Sequence, residues 1–380
     1  MKYFFSFLTS IISLFIICFK SNEKKKNLIF YFLLKIYQKN LIEISDKLSK
    51  KFNVFLIYNY QSSEEISKRK NSYLLDFNLL KYIPFNNFFL KDINFFFSSY
   101  ISYVYPPNSK NIYISHDIYD APMINTKLEK ELFLRISKID YIFVSSNISK
   151  KYFLKKFNFY NLLTTSKIIN TGYLKLDHLL KIIKKKRYKF GRKSVVLLAP
   201  GYFYAFQKFN MYSKIETIIL KILKNNNLIL IFRPHPLDLT RKGDKHFVDN
   251  MLIKFSKFKN FKFDGNVSYI ESFKKSDLMI TDLSSTAYTY SFSTNNPVIF
   301  FSKNEKKLKK EKFSEAFYFH DRNQIGFICK DENKLNSIIN YSTKSKKKFF
   351  RNIKNLKKKR IEYLFSAKTK TLKEIKKIID

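Results

Sequence analysis

The sequence predicts an α/β chain built from two Rossmann-like domains, with an apolar helix before them and a basic helix after them. Three observations carry this expectation. Short apolar runs alternate with stretches of helical periodicity, the pattern of βαβ units over a parallel sheet. A dense basic run, KIIKKKRYKFGRK from Lys181 to Lys193, interrupts that pattern near mid-chain and reads as a helix end and an interdomain linker. The motifs able to do chemistry follow apolar runs, where open α/β sheets take their ligands beyond the C-terminal ends of the strands. At 380 residues the chain suits two cores better than one. The expected division is a membrane-associating segment over 1–26, a first Rossmann-like domain over 27–185, a second over 194–340 and basic helices over 341–380.

The N-terminal run from Tyr3 to Phe19 carries no charge and ends at Lys20 and the Lys24-Lys25-Lys26 cluster. As a helix it would reach about 25 Å, short of a hydrocarbon core of roughly 30 Å. Only Lys2 precedes it and no A-x-A-like site follows, which weighs against a cleaved signal. An anchoring or membrane-dipping helix is favoured, with a buried amphipathic helix as the alternative. The trailing lysines would keep the rest of the chain on the cytoplasmic side. Leu28 to Phe32 then reads as a strand, followed by a helix to about Lys51 and a strand from Val54 to Tyr58. Further strands are expected at Asn111 to Ser115 and Tyr141 to Ser145, and the segment 166–172 ends in Gly172, a tight exit toward a helix. After the linker a second series starts with SVVLLAPG at Ser194. It continues through LILIFRPHP (228–236), SDLMITDLSS (276–285) and PVIFF (297–301), and closes on a lysine-dense helical stretch at about 344–378.

Composition bounds the function. Lys and Arg total 72 against 30 acidic residues, a formal charge of +42. Such a balance suits phosphate-bearing substrates and anionic lipid. Abundant Lys, Asn, Ile, Phe and Tyr with only 6 Gly and no Trp also carries the mark of AT-rich coding, which raises the charge whatever the protein does. No RRM or zinc finger supports nucleic acid as the partner. Cys18 and Cys329 stand far apart without a CxxC, so no metal knuckle or redox pair is expected. The chain lacks Asp-x-Asp, GxGxxG, the P-loop and GxSxG, and no cofactor or metal is expected.

Three motifs remain. Arg233-Pro234-His235-Pro236 follows LILIF; its prolines hold the loop off helix geometry, and an arginine fork with an imidazole suits a diphosphate. The competing reading is a rigid turn whose Arg pairs with a carboxylate. Thr281-Asp282-Leu283-Ser284-Ser285-Thr286 opens a helix near Ala287, and hydroxyls with free N–H groups at a helix start make an anion site. Plain N-capping would use the same residue types but fewer of them. His116-Asp117, with Asp120 after it, follows NIYIS and offers a general base from the other domain. His178, His246 and His320 stand alone and read as solvated or structural.

In this order and spacing the motifs resemble the CDP-glycerol glycerophosphotransferase family, the teichoic-acid-type polymerases and primases. The likeness is strongest at SDLMITDLSSTAYTYSFSTNNPVIFF (276–301) and continues in RPHP, SHDIYDAP (115–122), GYLKLD (172–177) and FYFHDRNQIGFICKDENKL (317–335). It covers roughly 110–340. The resemblance implies a GT-B fold, two Rossmann-like domains facing a cleft, at the cytoplasmic face of the membrane. It implies His116 as base, with Arg233, His235, Ser284 and Ser285 around the donor pyrophosphate and Asp282 orienting that turn or touching the donor. Thr286 belongs to the same anion site and Asp117 to the histidine's. The implied partners are CDP-glycerol or a related donor, a lipid-linked or polymer acceptor and an anionic membrane surface. This chain departs from the family at Asp117-Ile118, where Gly-Thr is usual, at Leu283 for an aromatic, at Thr289 for an acid, and at LAPGYF (198–203) for Ala-Pro-Thr-aromatic-Arg. The alternatives are a GT-B glycosyltransferase using a nucleotide sugar and a catalytically silent partner subunit.

Overall fold

Strand-forming runs buried on both faces organise each half of the chain, which is the condition for an all-parallel sheet. The computed structural model describes residues 2–21, 24–33, 38–59, 64–77, 80–83, 86–119, 126–183, 193–204, 207–240, 242–266, 268–310 and 317–380. Two compact units result, one of Met1–Asp117, Asn125–Lys175 and Glu362–Asp380, the other of Ile118–Ile124 and Leu176–Ile361.

Among the described residues the first unit holds seven strands: β1 (Asn27–Phe32), β2 (Asn53–Tyr58), β3 (Ser72–Leu74), β4 (Ile93–Ser98), β5 (Lys110–Ile114), β6 (Tyr141–Val144) and β7 (Lys167–Asn170). They pair in parallel in the order β3-β2-β1-β4-β5-β6-β7. Every residue of β1 is buried. Leu28, Phe30 and Phe32 face one layer, closed by the Gln38–Leu48 helix and by Ile375 and Ile379 of the C-terminal helix. Ile29 and Tyr31 face the other, closed by Leu14 and Ile17 of the N-terminal helix Lys2–Lys20.

The second unit repeats the plan with β8 (Ser194–Leu198), β9 (Leu228–Phe232), β10 (Phe261–Phe263), β11 (Leu278–Thr281), β12 (Val298–Phe301) and β13 (Gly326–Cys329). Its parallel order is β10-β9-β8-β11-β12-β13. Both sheets therefore run outward in two directions from a first strand, which places a switch point between β1 and β4 and another between β8 and β11. Chains diverge there and leave a crevice at the strands' C-terminal ends.

The expected strands are present, and others join them. The run INFFFS forms β4, a central strand that the residue pattern had not marked; the 166–172 segment holds β7 as its strand-to-helix exit implied, and β3, β10 and β13 complete the sheets. The helix expected to reach Lys51 ends at Leu48. The basic C-terminal stretch divides into helices Lys346–Arg360 and Ala367–Ile379, one in each unit. Gly172 has φ +83°, and a Cβ there would lie 2.9 Å from Ala367 Cβ and 3.0 Å from the Glu362 carbonyl, so the returning C-terminal segment requires glycine. Of the mid-chain linker, residues 184–192 lie outside the described residues, as does Asp120. No described helix is long and apolar enough to cross a membrane.

Candidate active site

Apolar β11 leads into Asp282, and the burial of that carboxylate explains the loop around it. Asp282 is 2% exposed. Its Oδ1 accepts from the Gly201 N–H at 2.8 Å and the Leu283 N–H at 2.7 Å, and its Oδ2 accepts from the Met211 N–H at 3.0 Å. Burial raises its pKa, and these amide donors offset part of that rise. The carboxylate thus ties the exit of β8 to the exit of β11 across the second sheet's switch point. Gly201 is required at this junction, because a Cβ would sit 2.9 Å from Asp282 Oδ1.

Past Asp282 the chain turns with Leu283 buried and Ser284, Ser285 and Thr286 half-exposed. Ser285 is the N-cap of the nine-residue helix Thr286–Thr294, and the Ser284 hydroxyl accepts from the Thr286 N–H at 3.3 Å. The interior of that helix is almost wholly buried, so its N-terminal dipole is held rigidly by packing. Three hydroxyls therefore gather at the positive end of a fixed helix dipole, while the N–H groups of Thr286, Ala287 and Tyr288 turn back onto the Ser284 hydroxyl and the Ser284 and Ser285 carbonyls.

The RPHP loop has a divided role. Arg233 is turned inward, 7% exposed, with Nη1 2.6 Å from Asp264 Oδ2 and its guanidinium over the Tyr269 ring. Of the two readings weighed for this arginine, the geometry supplies the carboxylate-paired one. Burial pushes the Asp264 pKa up, yet the Ser272 hydroxyl, Arg233 and the Asn266 N–H together hold it below its ordinary value. His235 stays half-exposed; its Nδ1 accepts from the Leu237 N–H at 3.2 Å, which leaves the proton of the neutral ring on Nε2 as a donor. Asp238, fully buried, accepts from the Phe203 N–H at 3.1 Å and from the Tyr212 hydroxyl, and so links this loop to the 199–203 loop.

In the first unit His116 stands just beyond β5. Its Nε2 is 3.4 Å from Asp117 Oδ2 and its Nδ1 is 3.3 Å from the Tyr113 hydroxyl. The Tyr173 hydroxyl donates to the His116 carbonyl at 2.9 Å and fixes the backbone. Burial lowers the imidazole pKa; Asp117 opposes that shift and Lys175 adds to it. The lowered pKa favours the unprotonated ring, which has one nitrogen beside a carboxylate. Asp264, Asp238 and Tyr113 carry no local motif, and only their three-dimensional partners reveal them. Among the described residues no group of three or more His, Cys, Asp or Glu is placed to hold a metal.

A family model described as CDP-Glycerol:Poly(glycerophosphate) glycerophosphotransferase matches residues 14–365. No curated protein sequence matches the chain. Among solved structures, the wall teichoic acid polymerase TagF is similar with a TM-score of 0.64 at 16% identity, over 98% of this chain and 97% of that one. A histidine variant of TagF soaked with CDPG gives the same TM-score over 97% and 93%. A putative UDP-N-acetylglucosamine 2-epimerase from Listeria monocytogenes is similar at 0.60, with 11% identity over 94% and 97%. S. aureus MnaA, in a co-structure with UDP, follows at 0.57 and 10% over 93% and 96%. At such identities the likeness speaks for the fold, which is of GT-B type.

Proposed function

Since the chain belongs to the CDP-glycerol:poly(glycerophosphate) glycerophosphotransferase family, we propose that it is a transferase moving a polyol phosphate from a CDP-alcohol, CDP-glycerol first among them, onto a lipid-linked or polymeric cell-envelope acceptor. The observation that carries this reading is the serine-rich turn at Ser284-Ser285-Thr286, clamped by Asp282 on a rigid helix start. It offers three hydroxyl donors at the positive end of a helix dipole to a diphosphate, without a cation of its own. His235 Nε2 adds a donor, and Arg233, held by Asp264, keeps the RPHP loop in place.

The chemistry follows from the groups available. An acceptor hydroxyl gives its proton to His116, and its oxygen attacks the β-phosphorus of the donor. The bond from that phosphorus to the bridging oxygen breaks, and its electron pair leaves with CMP. Asp117, on Nε2, orients the ring and stabilises the imidazolium as it forms, so the proton arrives on Nδ1 where the Tyr113 hydroxyl now sits. The turn and His235 neutralise the charge that builds on the departing diphosphate. The two units acting across a cleft belong to this reading, as does an anionic membrane surface as the place of work.

The test is a turnover assay with purified protein and a lipid-linked acceptor. CMP release from CDP-glycerol or CDP-ribitol supports the reading. UDP release from UDP-sugars, with none from CDP-alcohols, would move the enzyme to sugar transfer instead.

A further inference from the structure

The N-terminal helix Lys2–Lys20 is apolar on its outer face as well as on the face built into the core. In an ordinary surface helix the apolar stripe faces the core and polar residues face water. Here Phe5, Leu8, Ile12, Phe15 and Phe19 are 58%, 45%, 51%, 45% and 86% exposed. At about 100° per residue these positions fall within a stripe roughly 80° wide. The opposite face, against the first unit's sheet, carries Ser6, Ser10 and Ser13 beside Leu14 and Ile17, all buried. The serines serve as short polar ties: Ser13 donates to the Leu74 carbonyl at 2.8 Å, and the Asp76 N–H donates to Ser10 at 3.4 Å. The exposed stripe is extended by Phe88, 57% exposed, whose neighbour Phe89 meets Phe15 with ring centroids 4.6 Å apart.

At the C-terminal end of the same helix the surface changes sign. A cavity of about 270 Å³ opens there, lined by Lys20, Lys25, Ser49, Asn53 and Asn71. Its walls are fixed: Asn53 donates to the Lys20 carbonyl at 2.8 Å, and Lys20 Nζ lies 3.1 Å from the Tyr73 hydroxyl. The cavity lies at the strands' N-terminal edge, where β2 begins, and so at the opposite edge of the sheet from His116. It is separate from the transfer site.

We propose that this helix is a membrane-surface dock, its outer stripe entering the acyl boundary while the Lys20–Lys25 cavity seats the phosphate of an anionic phospholipid. A fixed apolar stripe ending in a basic, hydrogen-bonding cavity matches a lipid monolayer, which presents hydrocarbon and phosphate side by side. An interfacial helix of this kind buries its apolar face about 5–10 Å deep, and juxtaposed lysines strengthen the contact with anionic headgroups. With its other face built into the protein core, the helix lies along the surface. The proposal deepens the membrane-surface partner named above and rests on it.

The experiment mixes full-length protein with vesicles of phosphatidylcholine alone or with added phosphatidylglycerol and reads the bound fraction by flotation. Wild type should float with the anionic vesicles. Leu8→Ser/Phe15→Ser should bind them about tenfold more weakly or worse, given the apolar surface removed. Lys20→Gln/Lys25→Gln should weaken binding to the anionic vesicles more than the same exchange at two exposed lysines of the second unit, Lys254 and Lys274. Affinity for CDP-glycerol in solution should be equal in all three, which separates loss of docking from loss of fold. Stripe variants that float like wild type overturn the dock. A wild-type dimer in the absence of vesicles, made monomeric by Leu8→Ser/Phe15→Ser, overturns lipid as the occupant. Wild type that floats with neither vesicle overturns both this and the surface reading, while CMP release judges the transfer reading independently.

Discussion

Asp282 and His116 put the same physical device to opposite use. Burial moves the pKa of each, but Asp282, 2% exposed, is surrounded by amide donors and serves as a fixed acceptor, whereas His116 stays half-exposed and able to gain a proton. Replacing Asp282 by Asn keeps the shape and turns an amide group toward at least one backbone N–H. With a buried donor left unmet, Asp282→Asn should cost about 2–3 kcal/mol of stability and weaken CDP-glycerol binding, measured by calorimetry. Gly201→Ala should show the same weakening, since the added methyl presses on the same carboxylate. For His116 the test is the pH profile. Its folded pKa lies below the ordinary imidazole value, so activity should hold down through pH 6.5 and fall only below it. A limb centred at or above 6.5 would reject His116 as the base; His116→Ala should remove turnover and spare donor affinity.

Helix termini carry much of the second unit's logic. The Thr286–Thr294 helix presents its N-terminus to the candidate phosphate site and has its C-terminus closed by Lys357, whose Nζ donates to the Phe292 carbonyl at 2.7 Å and to Asn295 Oδ1 at 3.0 Å. Burial, with Lys354 nearby, pushes the Lys357 pKa down to about 8 from 10.5. The charged form therefore costs the folded state. That penalty is full below about 8 and fades as pH rises toward 10.5, so wild type should gain stability relative to Lys357→Met across that window. A flat difference between the two melting curves would refute the account. Asp264 runs the other way: its folded pKa is depressed, so its contribution holds above 3.8 and is lost as pH drops through the lower folded value.

How far these elements were legible depends on the kind of signal each sends. The Ser284–Thr286 turn and RPHP announce themselves because several unusual residues follow an apolar strand. β4 was silent because INFFFS does not alternate, and an aromatic run of that length suits helix and strand alike. Asp264 lies far along the chain from the arginine it neutralises, and no local pattern reports such a pairing. The inward orientation of Arg233 follows from that partner and was open until the partner was located.

For the whole molecule, the large positive charge predicts behaviour that no single site does. Binding to anionic vesicles should weaken steeply between low and physiological salt, because exposed charges lose their reach as the Debye length shrinks from about 30 Å to about 8 Å. Binding indifferent to salt would assign it to the apolar stripe alone. The path of the chain carries a further consequence. The chain from Glu362 on, with the last helix, returns to the first unit, where Ile375 and Ile379 are buried, while Leu176–Ile361 before it belongs to the second. A protease nick anywhere in 184–192 would thus leave two fragments that copurify, since the C-terminal piece still contributes a buried wedge to the core made by the N-terminal piece. Neither half is a module that evolution or an engineer can simply detach. To exchange the second unit for another, one would have to graft it between two fixed ends, as a bead threaded on a closed clasp.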